Sequence, residues 1–221
     1  MPINIPTIIA QTPHYTVLHK PAGLLVERSP YYASAEAWLY DNILQKDSRK
    51  TPFVGVIHRL DRVVSGVLLM ANKKSYLKAF NEQFRLRQVE KTYHALLEAA
   101  PKEPFGTLKH WHLEDKLQKK AIVSSKSSKN ATEVALSYKI LKSFDNHQCL
   151  VEIDLHTGKF HQIRAQFAAI GCPIVGDVKY GATQAHRPDA IALHAHRLVV
   201  TEPNTGERLV FEVAADLLPH F

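Results

Sequence analysis

Apolar residues in this chain fall into short runs and alternations more often than into long stretches of helical period, which is the pattern of a strand-rich fold. Phe53-Val-Gly-Val-Ile and Val67-Leu-Leu-Met-Ala are apolar runs of strand type. Residues 16–26 predict two short strands broken by a corner at Lys20-Pro21-Ala22-Gly23, because proline cannot donate to a ladder and glycine permits a tight turn. Alternation marks strands over 89–98, 132–144, 147–155 and 191–200, with a return strand at 208–213 after the turn Pro203-Asn-Thr-Gly-Glu. Three segments carry the helical period instead. Residues 34–44 present Ala37, Leu39, Tyr40, Ile43 and Leu44 on one face, with Ser34 as N-cap. A second helix runs from a cap at Asn72 or Ser75 to about Arg87, with Tyr76, Leu77, Phe80 and Phe84 facing the core. A third begins near Phe160, turns Ile163, Phe167 and Ile170 inward, and stops at Gly171. Asp47-Ser-Arg-Lys-Thr-Pro is a polar connector, and Ser124–Asn130 is a low-complexity polar loop.

The 221 residues suffice for a sizeable core, and no apolar run approaches the ~20 residues that span a bilayer. The first residues lack the basic region and apolar core of a signal peptide, so a cytoplasmic location is expected. Cys149 and Cys172 form no framework and no metal-type spacing, and reduced thiols follow. A formal charge of +7 suits a polyanionic partner, and nucleic acid is the commonest. The charge is concentrated: between Lys102 and Lys142 nine lysines face four acids. That stretch is equally consistent with a solvated face and with RNA contact.

Between the two apolar runs flanking it lies His58-Arg-Leu-Asp-Arg-Val-Val-Ser-Gly66. A loop leaving a sheet is where a rigid scaffold presents chemistry. An aspartate between Arg59 and Arg62 is expected to stay ionised, since nearby positive charge favours the carboxylate. From spacing alone the commoner explanation is an exposed acid–base cluster in a turn. Other chemistries lack their signatures. The pairs His110/His112 and His194/His196 each share a strand face, yet neither has a third ligand at zinc spacing, and no metal site is expected. There is no glycine-rich phosphate loop, no Gly-x-Ser-x-Gly elbow, and no His/Asp pair arranged for Ser65.

The residues say more than their spacing. His58-Arg-Leu-Asp-Arg with Ser65-Gly66 resembles the signature loop of RluA-type pseudouridine synthases. So do Lys20-Pro-Ala-Gly-Leu-Leu-Val26, Lys91-Thr-Tyr93, Thr157-Gly-Lys-Phe-His-Gln-Ile-Arg164, and Pro173-Ile-Val-Gly-Asp177 with Tyr180-Gly181. These motifs stand in the family's order and cover the chain from about Val17 onward. The resemblance implies an α+β fold, a largely antiparallel mixed sheet with flanking helices and a central RNA-binding cleft. It also implies one catalytic domain over residues 1–221, with 1–15 as an N-terminal extension and no S4-type domain ahead of it.

The implied activity is isomerisation of a specific uridine in structured RNA, rRNA or tRNA, without cofactor or metal, by a monomer. Asp61 is then the catalytic residue, acting either by attack on the sugar carbon or by removal of a sugar proton. Arg164 pairs with that aspartate, and Tyr93 lies against the base and helps deprotonate C5. Arg59 fills the space that the flipped uridine leaves, and Arg62, Lys91, Ile163 and Leu193 contribute to RNA binding and the pocket. Taken without the resemblance, Tyr93 is a packed strand tyrosine and Arg164 a partner for a surface acid. The chain departs from the family pattern at Val63-Val64, where Asp-Thr is usual, and at Lys159-Phe160, where Arg-Thr is usual. The alternative function is a basic RNA-binding module without chemistry. Against it stands Asp61, since a pure phosphate binder gains nothing from a carboxylate among its arginines.

Overall fold

The computed structural model describes residues 5–42, 52–215 and 217. The expected positions Ile43 and Leu44 of the first helix, and nearly all of the connector from Asp47, lie outside the described residues. The chain divides into two compact units, Met1–Glu90 with Ala195–Ala214, and Lys91–His194 with Ala215–Phe221. The fold is α+β, and the strand-rich reading of the sequence holds.

In the first unit, β1 (Thr7–Gln11), β2 (Tyr15–Lys20), β4 (Ser65–Ala71), β10 (Leu193–Thr201) and β11 (Arg208–Glu212) are neighbours in that order, and β3 (Gly55–Val56) pairs with β4. Strand β10 belongs to this unit from Ala195 onward. The β1–β2, β2–β4, β3–β4 and β10–β11 pairs are antiparallel. β4 is buried on both faces beyond Ser65, which is why it reads as an unbroken apolar run. Helix α1 (Ala35–Asn42) starts where the sequence places it, and Ser34 Oγ accepts from the Ala37 amide at 3.2 Å. Helix α2 (Lys74–Arg85) turns Tyr76 and Phe80 into the core. There Phe80 meets Tyr15 edge-on, with ring centroids 5.8 Å apart.

Two expectations change in this unit. Leu24–Val26 forms no returning strand; Leu25 makes a single parallel bridge to Ser34, and Pro21–Gly23 is a turn rather than a hairpin corner. Neither Asn72 nor Ser75 caps α2. The cap is Lys73, without a side-chain bond, because the Asn72 amide is taken by Thr12 O and Thr16 Oγ1, both at 3.0 Å. Residues 7–11 form an edge strand on β2, with a register shift between Ile8 and Ala10.

The second unit is a ladder in the order β5 (Glu90–Leu97), β9 (Cys149–Leu155), β8 (Thr132–Ser143), β6 (Phe105–Asp115), β7 (Lys120–Ser124), antiparallel throughout. Helix α3 (Gln162–Ala169) packs Ile163 and Phe167 inward, and Phe167 meets Tyr138 at 5.7 Å between ring centroids. Ile170, expected on the core side, is the C-cap directly after the last helical residue and is exposed. A short 3₁₀ helix follows at Val178–Tyr180. Both cysteines are free and buried, and burial pushes the Cys149 thiol up to about 11. No helix among the described residues is long and apolar enough to cross a membrane.

One glycine fixes how the signature loop enters β4. Gly66 has φ +130°, and a Cβ there would collide with the Ala195 backbone of β10. Gly66→Ala is therefore expected to cost about 2–4 kcal/mol, from backbone strain and overpacking together. The midpoint and slope of urea unfolding measure it, and an unchanged midpoint would show that the two strands can separate freely at this point.

Candidate active site

The first unit carries Arg59, Asp61 and Arg62 on the segment between β3 and β4. Leu60 and Val64 are buried and anchor the segment at two points, leaving Asp61 and Arg62 half-buried between them. Val64, where the family pattern has a hydroxyl, thus serves as an apolar anchor. The Val64 amide donates to Asp61 O at 3.0 Å, closing a turn directly behind the carboxylate. His58 is tied down on both sides: its ring stacks on Phe84, and its Nε2 accepts from the Leu69 amide at 3.0 Å. Arg59 is exposed and meets Glu27 at 3.2 Å, a contact worth little in water. The Arg62 guanidinium lies 5.8 Å over the exposed ring of Tyr32.

Beneath this loop lies a residue that sequence reasoning assigned to a turn. Lys20 has 0% of its surface exposed. Its ammonium donates to Leu24 O at 2.8 Å, Pro21 O at 2.9 Å and Arg62 O at 3.3 Å, and Arg62 O also accepts from the Gly23 amide at 2.8 Å. The residue after Asp61 is thereby bolted to the turn at 21–24. Burial pushes the Lys20 ammonium down to about 7; the Asp61 carboxylate opposes the shift, and Arg62 adds to it. The signal was present in the sequence: a lysine inside the mostly apolar stretch between Thr16 and Leu25 must find partners if it is buried.

The second unit carries Lys91, Tyr93, Ile163, Arg164 and Leu193. Tyr93 is a buried member of β5 opposite Ile153, and Ile163 and Leu193 are also buried. Lys91 reaches the turn before α3: a Cβ on Gly158 would lie 3.1 Å from its Nζ. That turn is shaped by Gln162, whose Oε1 accepts from Thr157 Oγ1 at 2.8 Å and from the Lys159 amide at 3.1 Å. His161 then enters α3 with φ +51°.

Arg164 makes a buried two-pronged ion pair with Asp177, Nε to Oδ2 at 2.7 Å and Nη2 to Oδ1 at 2.9 Å. Arg164 is 5% and Asp177 1% exposed, so this is not the surface pair that spacing alone suggested. Its guanidinium also lies 5.1 Å over the Tyr180 ring. Asp177 went unassigned in the sequence, although an acid closing the apolar run Pro173-Ile-Val-Gly carries the same kind of signal as Lys20. The paired histidines of β6 have structural uses: His112 Nε2 contacts Phe160 O at 2.8 Å, and His110 Nδ1 contacts Gln166 Nε2 at 3.1 Å.

A model of the RNA pseudouridylate synthase family matches residues 14–169, and the chain belongs to that family. Two relatives from Yersinia pestis show its breadth. A tRNA pseudouridine synthase C is 30% identical over 95% of this chain and 86% of its own length. A ribosomal large subunit pseudouridine synthase C is 32% identical over 95% of this chain and 65% of its own length. Among solved structures, human RNA pseudouridylate synthase domain containing 4 superposes with a TM-score of 0.76 at 25% identity, over 94% of this chain and 88% of that one. The protein is an RNA pseudouridine synthase.

Two stability predictions follow from the buried charges. Asp177 gives the buried Arg164 guanidinium two charge-assisted hydrogen bonds, so Asp177→Ala should cost about 3–5 kcal/mol in urea unfolding. The double variant Arg164→Met/Asp177→Leu should lose less than Asp177→Ala alone; a larger loss would mean that the pair itself stabilises the fold. For Lys20, the unfolded ammonium titrates near 10.5 and the folded one near 7. Below pH 7 both states hold the proton and the cost of burying the charge is paid in full. Between pH 7 and 10.5 only the unfolded state holds it, so the wild type gains stability as pH rises, by up to about 1.4 kcal/mol per pH unit. The wild type should therefore gain on Lys20→Met between pH 7 and 9, and a constant difference would mean that Lys20 keeps its proton throughout.

Proposed function

We propose that the chain converts a specific uridine of structured rRNA or tRNA to pseudouridine, with Asp61 as the catalytic residue and Tyr93 and Arg164 as the other members of the catalytic set. The observation that supports this most is the setting of Asp61: a half-buried carboxylate on a loop whose following carbonyl is held by an ammonium wholly removed from solvent. A group that must meet the sugar, at its carbon or at one of its protons, within a fraction of an ångström gains from such fixation. The reaction conserves atoms. The bond from N1 to the sugar carbon breaks, the uracil turns, C5 bonds to that carbon, C5 loses its hydrogen and N1 takes up a proton.

Each side chain has a part in that sequence. The uridine must leave its stack to be reached, and Arg59, long and exposed, is suited to the vacated space. Asp61 acts at the sugar. The Tyr93 ring packs on the freed uracil, and its hydroxyl is suited to help remove the C5 hydrogen. Arg62, Lys91, Ile163 and Leu193 bind RNA or line the pocket. Identity does not single out the RNA, since the tRNA and ribosomal relatives of one organism are 30% and 32% identical to this chain. Flanking structure of the target, read as shape, decides between them.

The test is release of tritium from RNA labelled at uridine C5, with total rRNA and bulk tRNA assayed separately. Isomerisation must expel that hydrogen, whereas binding cannot. Asp61→Asn should reduce release to background while RNA affinity changes by less than about tenfold, about 1.4 kcal/mol. Turnover persisting in that variant would remove Asp61 from the mechanism, and binding without release by the wild type would leave a non-catalytic RNA-binding module.

A further inference from the structure

The hairpin joining β6 to β7 ends in a four-residue turn, Lys116-Leu-Gln-Lys119, that takes no part in the proposed chemistry. Its polar backbone is satisfied from within. Asp115 Oδ1 accepts from the Leu117 and Gln118 amides, both at 3.0 Å, so this carboxylate is engaged with the turn itself. Lys179 donates to Lys119 O at 2.9 Å and Gln118 O at 3.4 Å, pinning the turn to the 3₁₀ helix. Behind it, Tyr180 Oη accepts from the Ala121 amide at 2.7 Å and lies 3.0 Å from His161 Nδ1. The tip is thus a braced projection.

What it projects is unusual for a solvated turn. Leu117 is 97% exposed and Val178, on the bracing 3₁₀ helix, is 73% exposed. Lys116 and Lys119 are exposed beside them, and neither makes an ion pair among the described residues. Lys119 sits at φ +48°, a backbone conformation ordinarily left to glycine or asparagine. An apolar side chain between two unpaired ammonium groups on a fixed backbone is complementary to a nucleic-acid strand, which offers phosphates on one side and bases on the other. It is poorly suited to a lipid surface, which needs a continuous apolar face rather than isolated side chains.

We propose that this hairpin tip is a contact surface for the sugar–phosphate backbone of the RNA substrate, with Lys116 and Lys119 on phosphates and Leu117 packed against a base. The proposal rests on the substrate being structured RNA, and it concerns binding rather than the isomerisation. Each phosphate contact contributes a fixed amount to the salt dependence of binding, about 0.7–0.9 in the slope of log affinity against log salt. Leu117 contributes affinity without a salt term.

The experiment measures RNA affinity of the full chain at several KCl concentrations, with rRNA and bulk tRNA as probes. The double variant Lys116→Gln/Lys119→Gln should lower the slope by about 1.5, whereas the exposed pair Lys73→Gln/Lys74→Gln on α2 should leave it unchanged. Leu117→Ser should weaken binding about fivefold or more at an unchanged slope. Lys116→Gln alone, with half the slope change, serves if the double variant loses its circular dichroism. An unchanged slope in the hairpin variants overturns the proposal. So does loss of binding to phosphatidylglycerol–phosphatidylcholine vesicles with RNA binding intact, which would assign the tip to a membrane. Tritium release by the wild type is scored separately, so a failed catalytic reading and a failed hairpin contact give different results.

Discussion

An ammonium group sealed from water must take its hydrogen bonds from the protein, and in the first unit that requirement organises the loop bearing the catalytic candidate. Lys20 ends β2 with its side chain fully enclosed, and three carbonyl oxygens converge on it. One belongs to Arg62, so relaxing the chain that follows Asp61 would cost a buried amino group one of its acceptors. The departure at Val63-Val64 fits the same arrangement. Val64 puts a buried apolar anchor where the family pattern has a hydroxyl, so packing adds to the hold of Lys20 on the loop. Gly66 completes the constraint by letting the loop pass into β4 against the backbone of Ala195.

The second unit solves a related problem in the opposite way. Arg164 is buried with a carboxylate of its own, Asp177, and Tyr180 covers the guanidinium face. A buried ion pair is weak evidence for stability but fixes orientation, because two parallel bonds leave the guanidinium one geometry. Tyr180 also reaches the β6–β7 hairpin through Ala121 and the start of α3 through His161. The 3₁₀ turn that carries it therefore braces both the helix bearing Arg164 and the projecting basic tip.

Much of this was legible in the chain. The apolar runs and alternations placed β4, β5, β8, β9, β10 and β11, and the helical face of α2 was right in its inward residues. Where the reading failed, a competing partner had taken the residue. Asn72 looked like a cap but its amide serves Thr12 and Thr16. Leu24–Val26 looked like a strand, yet the turn that wraps Lys20 uses its backbone. The short strand β1, with its shifted register, gave no clear alternation to read.

By itself the sequence determined the family and the candidate chemical groups, because those lie in contiguous motifs whose residue types and order are informative without a fold. Asp61, Tyr93 and Arg164 could be named from their neighbours in the chain. Only tertiary structure decided what holds them. Lys20 and Arg62 are 42 residues apart, and Arg164 and Asp177 are 13 apart. Whether a lysine or an aspartate in an apolar stretch is solvated or sealed depends on which strands and turns close over it. That closure is set by long-range pairing and packing, to which the local pattern of residues is blind.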